Sequence, residues 1–243
     1  LNPEENCKES FMSSSFSASS TPSSTQVWIV PEPNIVTVIQ RFDVPPTQQA
    51  DFIKQASDQI LQHWKASPEF IAVALLKGRD RGGVAAYAQW RKPVNSPSPA
   101  TVPAAWSLAS ALPMFTLLDS RTYAVAFTDS ATPPTQLSVE QTPLAHFGIF
   151  TVSRENQDHL LDLAQENAPR AVETTPGLIA VNFHRSIDGL QVINVGTWNT
   201  FDGMNALLQQ PGFSSSTHYW SGVADFQDDY FDLVFLEAAS QVN

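Results

Sequence analysis

The chain has 243 residues, 42% of them apolar, and a formal net charge of −11. That length supports one large core or two modest ones. The charge argues against a nucleic-acid backbone or an anionic membrane surface as partner, because both would be repelled. No apolar run approaches the roughly 18 residues that a membrane span needs. The lone Cys7 leaves no intrachain disulfide and no cysteine zinc cage.

From Leu1 to about Gln26 the composition is Ser, Thr, Asn, Glu and Pro with isolated Phe11 and Phe16. Such a stretch cannot bury enough apolar surface to offset its ordering entropy, so residues 1–34 are expected to form a flexible arm. The alternative is an arm that lies across the folded body, beginning at Val27-Trp28-Ile29-Val30. The segment lacks the charged-then-apolar order of a secretory signal, and a cytoplasmic location is the expectation.

Beyond the arm the sequence repeats itself at an offset of 108 residues: Val44 falls on Val152, Ala56 on Ala164, Pro68 on Pro176, and Trp90 on Trp198. Ile71-Ala72-Val73 likewise falls on Ile179-Ala180-Val181. A fixed internal offset marks duplicated structural units. The organisation expected is a first module over 35–131, a linker over 132–143 and a second module over 144–243.

Each module opens with a strand, at Ile35–Phe42 and Ala145–Val152. In the first, a helix from Thr47 carries Phe52, Ile53, Ala56, Ile60 and Trp64 at helical spacing. In the second, Ser153 suits an N-cap, and Leu160, Leu161, Ala164 and Val172 form the stripe. Pro169 is expected to kink or shorten that helix. Both helices should end at Ser67-Pro68 and Thr175-Pro176, since proline restricts the residue before it. Hairpins follow, pairing Phe70–Lys77 with Val84–Arg91 and Leu178–Arg185 with Leu190–Thr197. A second helical region then leads to a closing strand at Thr122–Thr128 or Tyr230–Glu237.

The order β-α-β-β-α-β predicts a ferredoxin-like α+β unit. Helices cover one face of its sheet and leave the other bare, so two fused units are expected to pack sheet to sheet. One chain would then suffice as a pseudo-dimeric monomer, with a homodimer as the alternative.

The strand Val192-Ile193-Asn194-Val195-Gly196-Thr197-Trp198 and its counterpart Val84-Ala85-Ala86-Tyr87-Ala88-Gln89-Trp90 resemble the third strand of the antibiotic biosynthesis monooxygenase family. That family builds a dimeric α/β barrel and carries Asn-x-x-x-Trp before its second helix. The resemblance covers both modules and implies a cofactor-independent oxygenase acting on aromatic polyketide-like compounds. In the first module Ala86 replaces the Asn, which marks the second as the active copy.

Strand alternation supports that placement. Asn194 and Trp198 share a face, about 13 Å apart along the strand, and Gly196 leaves the face open between them. An orienting amide among apolar walls suits a pocket for an apolar or aromatic small molecule. Asn182 and His184 are expected on that same face, where His184 would take a proton from a phenol. His218-Tyr219-Trp220, after Pro211-Gly212, offers a second base and two rings that can stack on a flat substrate. Trp90 would wall any pocket kept by the first module. His63, His146 and His159 read as structural or exposed. No metal-ligand spacing, Gly-rich nucleotide loop or nucleophile elbow occurs, and neither a metal nor another cofactor is expected. An electron-rich phenol or anthrone, once deprotonated, can react with O₂ unaided. A non-oxidative cyclase or isomerase and a non-catalytic binding module are the other readings.

Overall fold

The computed structural model describes residues 26–79, 83–92, 101–140, 142–207, 209–213 and 218–239. Most of the expected arm, the tip of the first hairpin and most of the Pro93–Pro103 segment lie outside them. The first module consists of β2 (Ile35–Asp43), α1 (Gln49–Gln59), β3 (Phe70–Gly78), β4 (Val84–Arg91), α2 (Leu108–Ala111) and β5 (Thr116–Ser130). It is preceded by a short strand β1 (Gln26–Ile29) and followed by β6 (Thr135–Ser138). The second comprises β7 (Leu144–Thr151), α3 (Gln157–Thr174), β8 (Leu178–Ser186), β9 (Gln191–Trp198), α4 (Phe201–Leu207) and β10 (Asp225–Ala238).

Eight strands close into one antiparallel barrel in the order β10-β3-β4-β2-β5-β8-β9-β7. The closing strands are longer than their periodicity predicts because each serves two sheets. Up to Tyr123, β5 pairs with β2, and from Tyr123 onward it pairs with β8. Likewise β10 pairs with β7 as far as Phe231 and from there with β3. Tyr123 and Phe231 are 108 residues apart, so the crossover itself is duplicated. The expected sheet-to-sheet packing is therefore completed by shared strands, which pair every barrel edge.

Three apolar clusters result. One lies between the first sheet and α1, another between the second sheet and α3, and the third fills the barrel. Both ends of the expected arm and linker contribute to the third. β1 and β6 pair as a two-stranded ribbon, and Val27, Ile29 and Leu137 are fully buried inside the barrel. Residues 26–29 are thus not flexible arm, and 135–138 are more than tether: their apolar side chains offset the ordering of the ribbon.

Buried glutamines pin the hairpins in both modules. Gln49 Nε2 donates to the carbonyls of Gly78 and Gly83 at 3.3 and 2.9 Å. Gln157 Nε2, 108 positions later, donates to Ser186 and Gln191 carbonyls, both at 3.0 Å. Among the described residues the ion pairs between modules, Arg41–Asp229, Arg79–Asp232, Lys65–Glu237 and Arg121–Asp188, each take the cation from the first module.

Other local expectations need correction. Pro169 does not shorten α3, which runs on to Thr174. It stands on the exposed face, where the carbonyl it leaves unpaired meets water. The cap position of α3 is Asn156 rather than Ser153, which instead accepts the turn bond from the Asn156 N–H. The helix after Thr47 begins as a 3₁₀ turn and ends in a π-helical segment at Ile60–Trp64. His218-Tyr219-Trp220 lies in a turn after α4, not in a helix.

Candidate active site

The second module holds a cleft between β7, β9, α3, α4 and the turn at 218–223. It encloses about 570 Å³ of empty space, the open mouth included. Phe150, Phe183, Phe226 and Trp220 wall it, with Phe150 centred 5.4 Å from Trp220 and 5.0 Å from Phe226. Small residues make the room: Ala164, Ala168 and Ala171 on α3, and Gly148 on β7. Gly203 lets α4 approach the wall, since a Cβ there would stand 2.1 Å from the Pro176 carbonyl oxygen.

Asn194 and Trp198 both line this cleft, on the face that strand alternation predicts. The backbone N–H of Asn182 donates to Asn194 Oδ1 at 3.0 Å. Only an oxygen can accept that bond, so the amide orientation is fixed and Nδ2 is left as a donor. Trp198 Nε1 is buried without a hydrogen-bond partner. Trp90 Nε1 in the first module is unpartnered too, so an orphan indole does not by itself mark the open site.

Absent from the expected site residues is the histidine that the structure brings there. His146 lies on β7 directly opposite Gly196, and its neighbour Gly148 opposes Asn194. It lines the cleft, is 5% exposed, and its Nε2 has no hydrogen-bond partner among the described residues. A Cβ at Gly196 would sit 3.0 Å from Trp198 Nε1 and 3.5 Å from His146 Nδ1. Gly196 therefore lets the Trp198 indole and the His146 imidazole lie close over the strand, where a side chain would crowd them. Desolvation lowers the His146 pKa to about 4, against a smaller opposing effect of Asp228, so the ring is neutral at pH 7. The signal was present in the sequence: Leu144, His146, Gly148 and Phe150 alternate onto one face, with apolar residues at both ends.

Asn182 and His184 do not share the Asn194 face. A register shift between Leu178 and Ala180 breaks the alternation of β8, so Val181 and Phe183 face α3 while Asn182 and His184 point into the barrel. There His184 Nε2 is 2.9 Å from the Tyr87 hydroxyl and Nδ1 is 2.8 Å from the Asn182 carbonyl. With both nitrogens engaged, its pKa is lowered by burial to about 4. Asn182 ties three strands together: Thr135 Oγ1 stands 2.5 Å from its Oδ1, and its Nδ2 donates to Val195 O at 2.7 Å. It positions Asn194 from behind.

Tyr219 and Trp220 line the cleft, and burial pushes the Tyr219 hydroxyl pKa well up. His218 is not among the lining residues; its ring stacks on Trp220 at 4.3 Å. Trp90 is fully buried under Trp106, stacked at 5.0 Å and 8°, with Trp64 edge-on at 5.0 Å. The corresponding space in the first module is filled. Among the described residues no group of three His, Cys, Asp or Glu side chains could hold a metal ion, and no helix is long and apolar enough to cross a membrane.

The fold defined by this geometry is the dimeric α/β barrel in fused form, two ferredoxin-like modules in one chain, with an open cleft in the second. Neither a family model nor a curated protein matches the sequence. Solved structures share the fold. An anthrone oxidase-like protein superposes with a TM-score of 0.71 at 18% identity, over 88% of this chain and 98% of its own. A protein described as a monooxygenase from Fusobacterium nucleatum gives 0.56 at 10%, over 84% and 94%. Another so described, from Lactobacillus acidophilus, gives 0.53 at 8%, over 84% and 96%. The architecture implied by the Asn-x-x-x-Trp resemblance is therefore the architecture of this chain.

Proposed function

We propose that the second module is a cofactor-independent oxygenase site for an electron-rich hydroxyaromatic compound of the aromatic polyketide kind. The observation that carries this reading is His146: a neutral, buried imidazole with an unpartnered Nε2, beside the Asn194 amide, in a cleft walled by aromatic rings. His146, rather than His184 or His218, is the proposed base. The anthrone oxidase-like protein of the same fold supports the substrate class.

The aromatic walls bind the flat body, and the substrate oxygen points to the end of the cleft lined by His146, Asn194 and Trp198. His146 accepts the proton, while Asn194 Nδ2 and Trp198 Nε1 donate to the developing oxyanion. Imidazolium and oxyanion form together inside an apolar cleft, where their attraction is far stronger than in water. The deprotonated ring then reduces O₂. For an anthrone the CH₂ becomes C=O, one oxygen atom enters the product and the other leaves as water.

Oxygen uptake by chelator-treated protein, with a panel of anthrones, naphthols and hydroquinones, tests the reading. The expected result is catalysed uptake, with one oxygen atom from ¹⁸O₂ in the product, that His146→Ala and Asn194→Ala abolish. No uptake, or uptake indifferent to both substitutions, overturns it. Conversion without uptake would assign the same cleft to a non-oxidative cyclase or isomerase.

A further inference from the structure

We propose that the cleft accepts only uncharged substrates and rejects their carboxylated forms, so that the enzyme acts after any acidic group has been lost or masked. The inference rests on the reading of the cleft as the substrate site and narrows it.

No lysine or arginine lines the cleft among the described residues. Its polar side chains are few. Asn194 Nδ2 and Trp198 Nε1 are uncharged donors, Asn167 donates to Leu163 O on its own helix at 2.8 Å, and His146 is neutral above about pH 4. Asp228 on β10 pairs in register with Gly148 and acts on His146 from outside the lining. Its neighbour Tyr230, whose hydroxyl donates to Asp228 at 2.7 Å, has its ring 5.1 Å from the His146 ring. A carboxylate entering the cleft would lose its hydration and gain no counter-charge from the lining. A neutral aromatic of equal size meets none of these penalties. The net charge of −11 adds a long-range repulsion in the same direction.

The test is a matched pair of probes, 5-hydroxy-1-naphthoate and its methyl ester, titrated calorimetrically into the full chain at pH 7.5. The ester is expected to bind about 100-fold more tightly than the acid, the scale set by leaving a charge unpaired in an apolar site. Asn167→Lys, which adds a cation on the cleft wall, should narrow that ratio by about 10-fold. Equal affinity of acid and ester, or a ratio unmoved by Asn167→Lys, overturns the charge selection. If oxygen uptake persists in that case, the proposed oxygenase stands and only the selection fails. If neither probe nor 1-naphthol binds, both readings fall.

Discussion

Gln40 and Gly148 occupy the same place in the two modules, 108 residues apart, each directly opposite the motif position on the third strand. Gln40 fills that place: its Nε2 donates to Ser107 and Ser120 hydroxyls at 2.9 Å, and its Oε1 accepts from the Leu108 N–H at 2.8 Å. Gly148 leaves it empty, and the cleft of the second module opens there. The duplicated scaffold thus carries a hydrogen-bonded amide at this place in one module and an open cleft in the other.

Gly148→Gln should close the open copy. A Cβ there would already stand 3.3 Å from both His146 Cε1 and Phe226 Cε2. Loss of naphthol binding, with kcat/KM falling about 100-fold as ligand and base are displaced, is the expected outcome. Circular dichroism and the unfolding midpoint should show that the fold persists. Unchanged binding would show that the cleft is not where the ligand goes.

Two histidines, His146 and His184, are buried with pKa values lowered from 6.5 to about 4. Between those values the unfolded chain binds protons that the folded chain does not. Stability is therefore full above about pH 6.5 and lost as pH falls toward 4, by up to about 3 kcal/mol for each. Urea unfolding at a series of pH values checks this. His146→Gln should flatten the slope, and a wild-type curve with no slope in that window would contradict the burial of both rings.

The backbone N–H of Asn182 holds Asn194 Oδ1, and the Asn182 side chain anchors that strand without touching substrate. Asn182→Leu removes bonds to Thr135 and Val195 and leaves their partners buried, a cost of about 1–3 kcal/mol. A structural role alone would lower stability and spare the site. A positioning role predicts a fall in kcat larger than any change in KM, measured under conditions where the variant remains folded.

The ribbon inside the barrel should be part of the cooperative core. Ile29→Ala leaves a cavity in that interior and is expected to cost about 2–5 kcal/mol. The exposed neighbour Trp28, at 42%, should tolerate Trp28→Ala with far less effect. Equal midpoints for the two variants would show that the ribbon is not packed as described.

Much of this protein was legible one residue at a time. The 108-residue offset, the 3.6-residue stripes of α1 and α3 and the alternation of β9 depend on local geometry, and they placed both modules and the Asn194–Trp198 face. Other features depended on neighbours that the chain supplies from far away. The bulge in β8 follows from its pairing with β5 and β9, and one displaced residue sends His184 into the barrel instead of the cleft. Burial of Val27 and Ile29 requires a barrel already closed around them. His146 became a candidate base only when β7 and β9 brought it into the cleft beside Asn194 and Trp198. Periodicity reports which way a side chain points along its own strand. What stands opposite, and whether water reaches it, is set by the sum of long-range pairings, and tertiary structure alone decides that.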